Sequence, residues 1–176
     1  MTPEQRFVCM SHNRAKDTGP ELLLRHSLWR MGFRYRVNDK RLPGSPDIVL
    51  PRYRTAIFVH GCFWHGHKDC KHYTVPKTNR EFWIKKVARN QERDQDVWRQ
   101  LEAKGWFVII LWECQLKKAK LSETIDSVSN EIRRNGNSLH LSQVNRRAAH
   151  ASYLLERKHC KERKAALLVE LQKHFQ

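Results

Sequence analysis

The chain has 176 residues, enough for one domain with a sizeable core and an appendage. Lys and Arg number 34 against 18 Asp and Glu, a formal charge of +16 that exceeds any need of solubility and points to a polyanionic partner. The longest fully apolar run, Trp106 to Trp112, is seven residues, which excludes a membrane-spanning helix, and with no apolar signal region near the N-terminus the expectation is a cytoplasmic protein.

Residues 1–17 are polar and basic and read as an N-terminal arm. Thr18-Gly19-Pro20-Glu21 has the pattern of a capping box, and Leu22, Leu24, Leu28 and Met31 follow at helical spacing until Gly32 closes the segment. Phe33, Tyr35 and Val37 alternate with Arg34 and Arg36, the period of a half-buried strand. The turn Leu42 to Pro46 leads into a strand from Asp47 to Leu50, and Thr55 to Val59 forms the next. Thr78-Asn79-Arg80-Glu81 repeats the capping pattern and opens a long helix through Trp83, Val87, Val97, Trp98 and Leu101 to a stop at Gly105.

Trp106 to Trp112 is expected to be a central strand covered on both faces. A further helix is expected from Ser122 to Asn135, stopped at Gly136. The order αβββαβα makes the fold class α/β, a mixed sheet flanked by helices, with a core over residues 18–136. Residues 137–176 form a basic extension; from Ser142 onward it carries Leu154, Leu155, Leu167, Leu168 and Leu171 and reads as one or two helices packed on the core.

Phe58 to Cys70 holds three histidines and two cysteines together with Phe63 and Trp64, a composition unlike a solvated connection. Cys62, His67 and Cys70 have metal-ligand spacing, and Cys114 follows 44 residues after Cys70 at a strand end. If the two strands are parallel neighbours, these four side chains form a closed zinc site with a structural role, although His65 and His72 compete with His67 as the imidazole ligand. Five cysteines at irregular spacing fit metal binding better than disulfides.

Pro46-Asp47, with His60 thirteen residues later at the end of the next strand, has the layout of the nuclease Pro-Asp…(Asp/Glu)-x-Lys hairpin, with Phe58 and His60 in place of the second acid and the lysine. One carboxylate is a sparse magnesium cage, so carbonyls, water and substrate phosphate would complete the octahedron while imidazoles move protons. Alone, Pro-Asp is an ordinary turn element, and Glu21 is explained as a helix cap. Phe63, Trp64 and Trp83 are interleaved with Lys68, Lys71, Lys77, Arg80, Lys85 and Lys86, as in proteins that wedge rings between weakly paired bases.

Leu42 to Asp47, Ile57 to Cys70, Thr78 to Trp83, Arg93-Asp94 and Leu111-Trp112-Glu113-Cys114 together resemble the very short patch repair (Vsr) endonuclease family over about Met1 to Leu116. The resemblance implies a restriction-endonuclease-like (PD-(D/E)xK-type) fold, a structural Zn2+, a catalytic Mg2+, and nicking of one strand of double-stranded DNA 5′ of the thymine in a T:G mismatch. It also implies a link to a cytosine methyltransferase and to a repair polymerase and ligase, a monomer, and a nucleoid-associated enzyme.

By the same resemblance Asp47 binds magnesium with the Val59 carbonyl, His65 activates water, His60 lies near the phosphate, and Glu21 supports the site. Cys62, His67, Cys70 and Cys114 take zinc, and Phe63, Trp64 and Trp83 intercalate. Two other readings share these features: a restriction-type or damage-specific nuclease without T:G preference, and a non-catalytic zinc-stabilised DNA-binding module.

Overall fold

The structure, a computed structural model, describes residues 16–173, with side chains from 16 to 147 and at Ser152. All of the expected arm but Lys16 and Asp17 lies outside the described residues, as do the leucine side chains expected to pack the tail. The chain divides into two compact units, Met1–Asn135 and Gly136–Gln176.

In the first unit the elements run α1 (Gly19–Arg30), β1 (Arg36–Val37), β2 (Ile48–Leu50), a single 3-10 turn (Pro51–Tyr53), β3 (Thr55–His60), α2 (Arg80–Ala103), β4 (Phe107–Trp112) and the start of α3 (Leu121–Lys173). This is the expected order. The strands form one open mixed sheet in the order β1-β2-β3-β4. β2 and β3 are an antiparallel hairpin, whereas β3 and β4 are parallel with His60 opposite Trp112.

Side-chain alternation sorts the sheet into two faces. Ile48, Leu50, Ile57, Ile109 and Leu111 pack with Leu24 and Leu28 of α1 and with Ile125, Val128 and Ile132 of α3. Ala56, Phe58, Val108 and Ile110 pack on the other side with Val97, Trp98 and Leu101 of α2. The apolar phase of each helix therefore decides which layer it joins.

Two of the three expected glycine stops occur. Gly32 and Gly105 take left-handed φ values of +87° and +73°, and Phe33 N–H and Trp106 N–H donate back to Leu28 and Leu101 carbonyls at 3.0 Å.

Four details correct the sequence reading. β4 is covered on both faces as expected, but among the described residues it lies at the sheet edge, because only β3 pairs with it. The strand expected from Phe33 to Val37 is reduced to Arg36–Val37, since Phe33 is consumed closing α1 and buries its ring in the core. Asn79 caps α2 in a left-handed conformation without a side-chain bond, so Thr78 builds no capping box. α3 runs through Gly136: one helical glycine costs about 1 kcal/mol, too little to end a helix whose residues on both sides continue it. No described helix is long and apolar enough to cross a membrane.

Candidate active site and metal centre

The hairpin and the parallel pair together place the start of β2 beside the end of β3. Asp47 extends its carboxylate across the hairpin, where Oδ2 accepts the Val59 N–H at 2.8 Å. His60 ends β3, buried, and its ring stacks on His65 with centroids 3.7 Å apart and on Trp98 at 5.9 Å. These residues and Glu21 line one cleft of about 950 Å³.

Glu21 closes the N-terminus of α1 in a variant capping box. Its carboxylate accepts the Thr18 hydroxyl at 2.8 Å and the Asp17 N–H at 3.0 Å, and pairs with buried Arg25 at 3.0 Å. Both Glu21 oxygens are thus occupied, while Arg25 also donates to the Asp47 carbonyl at 3.4 Å. Burial, with the Glu21 charge adding to it, pushes Asp47 up to about 6. Burial holds His60 down to about 3, so its imidazole is neutral near pH 7, and its Nδ1 is buried without a partner.

α2 fixes the loop after β3. Asn90 donates to the Trp64 carbonyl at 2.8 Å and Gln91 to the His65 carbonyl at 3.1 Å, while one turn further on the Asp94 carboxylate bonds His65 Nδ1. Burial opposes the charge of Asp94, but the His65 bond and the neighbouring imidazoles outweigh it and hold Asp94 below its ordinary value. Sequence reasoning assigned Asp94 no role. The signal was a polar break in an apolar stripe: Trp83, Val87, Trp98 and Leu101 share one helical phase, and Asn90, Gln91 and Asp94 interrupt it.

The four expected zinc ligands converge. Cys62, His67, Cys70 and Cys114 bring one donor atom each within 4.8 Å of the others, and His67 Nδ1 lies 3.4 Å from Cys62 Sγ and 3.5 Å from Cys114 Sγ. The competing imidazoles are elsewhere: His65 faces Asp94, and His72 Nε2 lies 2.9 Å from Lys117 Nζ. Trp112 stacks flat on His67 at 4.1 Å, and Glu113 accepts the Cys62 N–H at 3.0 Å. Burial pushes the Cys62 thiol up to about 12 and raises Cys114 as well. Three thiols and one imidazole at this spacing suit a soft tetrahedral cation, which would take the thiolates.

His60, His65 and Asp94 also lie within 4.8 Å of one another. Their near-parallel stacking, 16° between the imidazole planes, sends the ring lone pairs side by side instead of to one point, so this trio is a poor chelate.

Phe63, Trp64 and Trp83, from the loop and from α2, meet as a cluster with centroids 5.2–6.0 Å apart, each half-buried. Trp64 also lines the cleft, so the rings adjoin the histidines. Exposed Phe82 adds an edge contact to Trp83 at 5.2 Å.

Residues 1–72 match the family model described as DNA mismatch endonuclease Vsr. The chain is 46% identical over 133 residues to the type II nicking enzyme V.NmeAIP of Neisseria meningitidis, covering 75% of this chain and 94% of that one. It is 41% identical over 131 residues to the type II nicking enzyme V.XorIIP of Xanthomonas oryzae, covering 72% and 96%. It is also 45% identical over 109 residues to the DNA mismatch endonuclease Vsr of Escherichia coli, covering 61% and 69%. With a cleft of carboxylates and imidazoles beside a ring cluster, and relatives that are nicking and mismatch endonucleases, this chain belongs to the Vsr family of DNA endonucleases.

Proposed function

We propose that the protein is a magnesium-dependent endonuclease that nicks one strand of duplex DNA 5′ of the thymine in a T:G mismatch, on a restriction-endonuclease-like core. The observation that carries the reading is the junction of Asp47, the His60–His65–Asp94 array and the aromatic cluster at one cleft.

Asp47 and the Val59 carbonyl would hold Mg2+. Val59 N–H already meets the Asp47 carboxylate, and a strand residue turns its N–H and C=O to the same side. One carboxylate leaves positions for water and phosphate, as Mg2+ prefers. When bound, the ion would polarise the phosphodiester and lower the pKa of water.

Asp94 orients His65 through Nδ1, leaving Nε2 to accept a proton from the attacking water. His60, neutral and lining the cleft, is suited to a hydrogen bond at the phosphate, and Glu21 with Arg25 braces the floor behind Asp47. The Cys62, His67, Cys70 and Cys114 set would take Zn2+ as a staple that holds the ring-bearing loop.

Wedging Phe63, Trp64 and Trp83 into a duplex costs a few kcal/mol of unstacking, least where pairing is faulty, which supports mismatch selectivity. A nucleoid-associated cytoplasmic monomer, working with a cytosine methyltransferase and a repair polymerase and ligase, follows from this role. Residues 18–136 would be the catalytic core and 137–176 an extension.

The test is a strand-nicking assay with magnesium on T:G and T:A duplexes in several contexts, using wild type and Asp47→Ala. Nicking of the T strand at T:G alone, lost in Asp47→Ala while mismatch binding survives, is expected. Equal cutting of T:A duplex would favour a restriction-type nuclease, and binding without cutting a non-catalytic module.

A further inference from the structure

The charges lining the cleft are unbalanced for a site that must admit a phosphodiester. Glu21, Asp47, Asp94 and Glu113 put four carboxylates on its walls, and Arg93 is the only Lys or Arg among the lining residues described. Arg25 offsets Glu21 from behind but does not line the cleft.

Arg93 follows Gln91 along α2 and directly precedes Asp94. Its Nη2 lies 3.3 Å from Asp94 Oδ1, while the other carboxylate oxygen of Asp94 engages His65. One carboxylate thus ties the guanidinium to the imidazole. The Arg93 side chain is 64% exposed, and among the described residues its hydrogen-bond partner is Asp94 alone, which leaves the rest of its donor fork open. Its charge also reaches buried His60, where it adds to the factors keeping that ring neutral.

A planar guanidinium with free parallel N–H groups is the side chain best shaped for two phosphate oxygens. At the mouth of an otherwise acidic cleft it meets no competing anion except Asp94, which orients it.

We propose that Arg93 is a phosphate-binding catalytic residue: its guanidinium contacts a non-bridging oxygen of the scissile phosphodiester and stabilises the charge gathered there as the oxygen of the attacking water bonds to phosphorus and the bond from phosphorus to the leaving sugar oxygen breaks, that oxygen departing with the electron pair and taking a proton from solvent. The inference rests on the reading that this cleft cuts DNA, and it gives a role to a residue that the sequence reading left without one.

The experiment uses the full chain in three forms, wild type, Arg93→Met and Arg93→Gln, with far-ultraviolet spectra and zinc content confirming intact folding. Gln is included because it can still donate to Asp94 but carries no charge. In EDTA, binding to a T:G duplex is compared with binding to the same duplex bearing a neutral methylphosphonate at the scissile position.

Wild type is expected to bind the neutral duplex about tenfold more weakly and both variants to bind the two duplexes alike, with the slope of log affinity against log salt shallower by about 0.9. With magnesium, both variants should lose roughly 100-fold in kcat. If either variant still discriminates the methylphosphonate as wild type does, or if Gln restores wild-type turnover, Arg93 is only a prop for Asp94 and the proposal fails. Asp47→Asn, run in parallel, separates the two levels: magnesium-dependent nicking by that variant would sink the cleft assignment itself, whatever Arg93 does.

Discussion

Gly66 sits between His65 and His67, and so between the two clusters of the site. Its φ of +65° is left-handed, and a Cβ built there would stand 2.6 Å from Val87 Cγ1 and 2.7 Å from Gln91 Nε2. Gly66→Ala therefore faces about 1 kcal/mol or more of left-handed strain and about 1–3 kcal/mol of overpacking against α2. Gln91 is no free side chain that can swing away, because it donates to the His65 and Gly66 carbonyls. The sum, about 2–5 kcal/mol, corresponds to a fall in Tm of about 5–15 °C for a chain of this size.

The assay is thermal unfolding followed by circular dichroism, with zinc content and T:G nicking measured on the same samples. Gly19→Ala is the control, since no atom lies within 4 Å of its Cβ position. A Gly66→Ala protein melting within about 2 °C of wild type, with nicking intact, would refute the claim that α2 holds this loop rigidly.

Three further outcomes are expected. Trp64→Ala should lower the T:G over T:A nicking preference by about tenfold or more, as removal of a stacking ring does; an unchanged ratio in a competition assay would place mismatch readout elsewhere. Cys114→Ser, or chelation of wild type, should release the loop to protease between His60 and Asn79 and lower Tm, whereas equal protease resistance with and without metal would remove the staple. Because Asp47 is held up to about 6 by burial, the native metal-free protein keeps a proton there that an unfolded chain releases near pH 4, so magnesium must displace it. The magnesium half-saturation for nicking should be flat above about pH 6 and rise about tenfold per pH unit below it; a constant value from pH 5 to 7 would contradict the burial of Asp47.

Local physics was legible in the chain. Helical phase, glycine stops and β-branched runs placed α1, α2, β2, β3 and β4 in order, because each rests on neighbours within a few residues. The convergence of Cys62, His67, Cys70 and Cys114 was legible as well: Cys and His at short spacing in one loop, plus a strand-end Cys, need only one parallel pairing to meet, and β3 and β4 supply it.

Other features depend on long-range packing that no local pattern encodes. Gly136 carries a stop signal that α3 overrides, and Trp106–Trp112 reads as a central strand although the pairing leaves it at the edge. Spacing alone left His65 and His72 beside His67 as candidate ligands, and the structure sets those two apart, with Asp94 of α2 at one imidazole and Lys117 beside the other. The sequence by itself settled which chemistry was present, namely thiols, imidazoles, one unpaired-looking aspartate and a group of rings. Only the tertiary structure decided which imidazole faces which cluster and that Asp94 and Arg93 belong to the cleft, because those pairings join segments about 30 residues apart whose approach is fixed by the packing of α2 over the sheet.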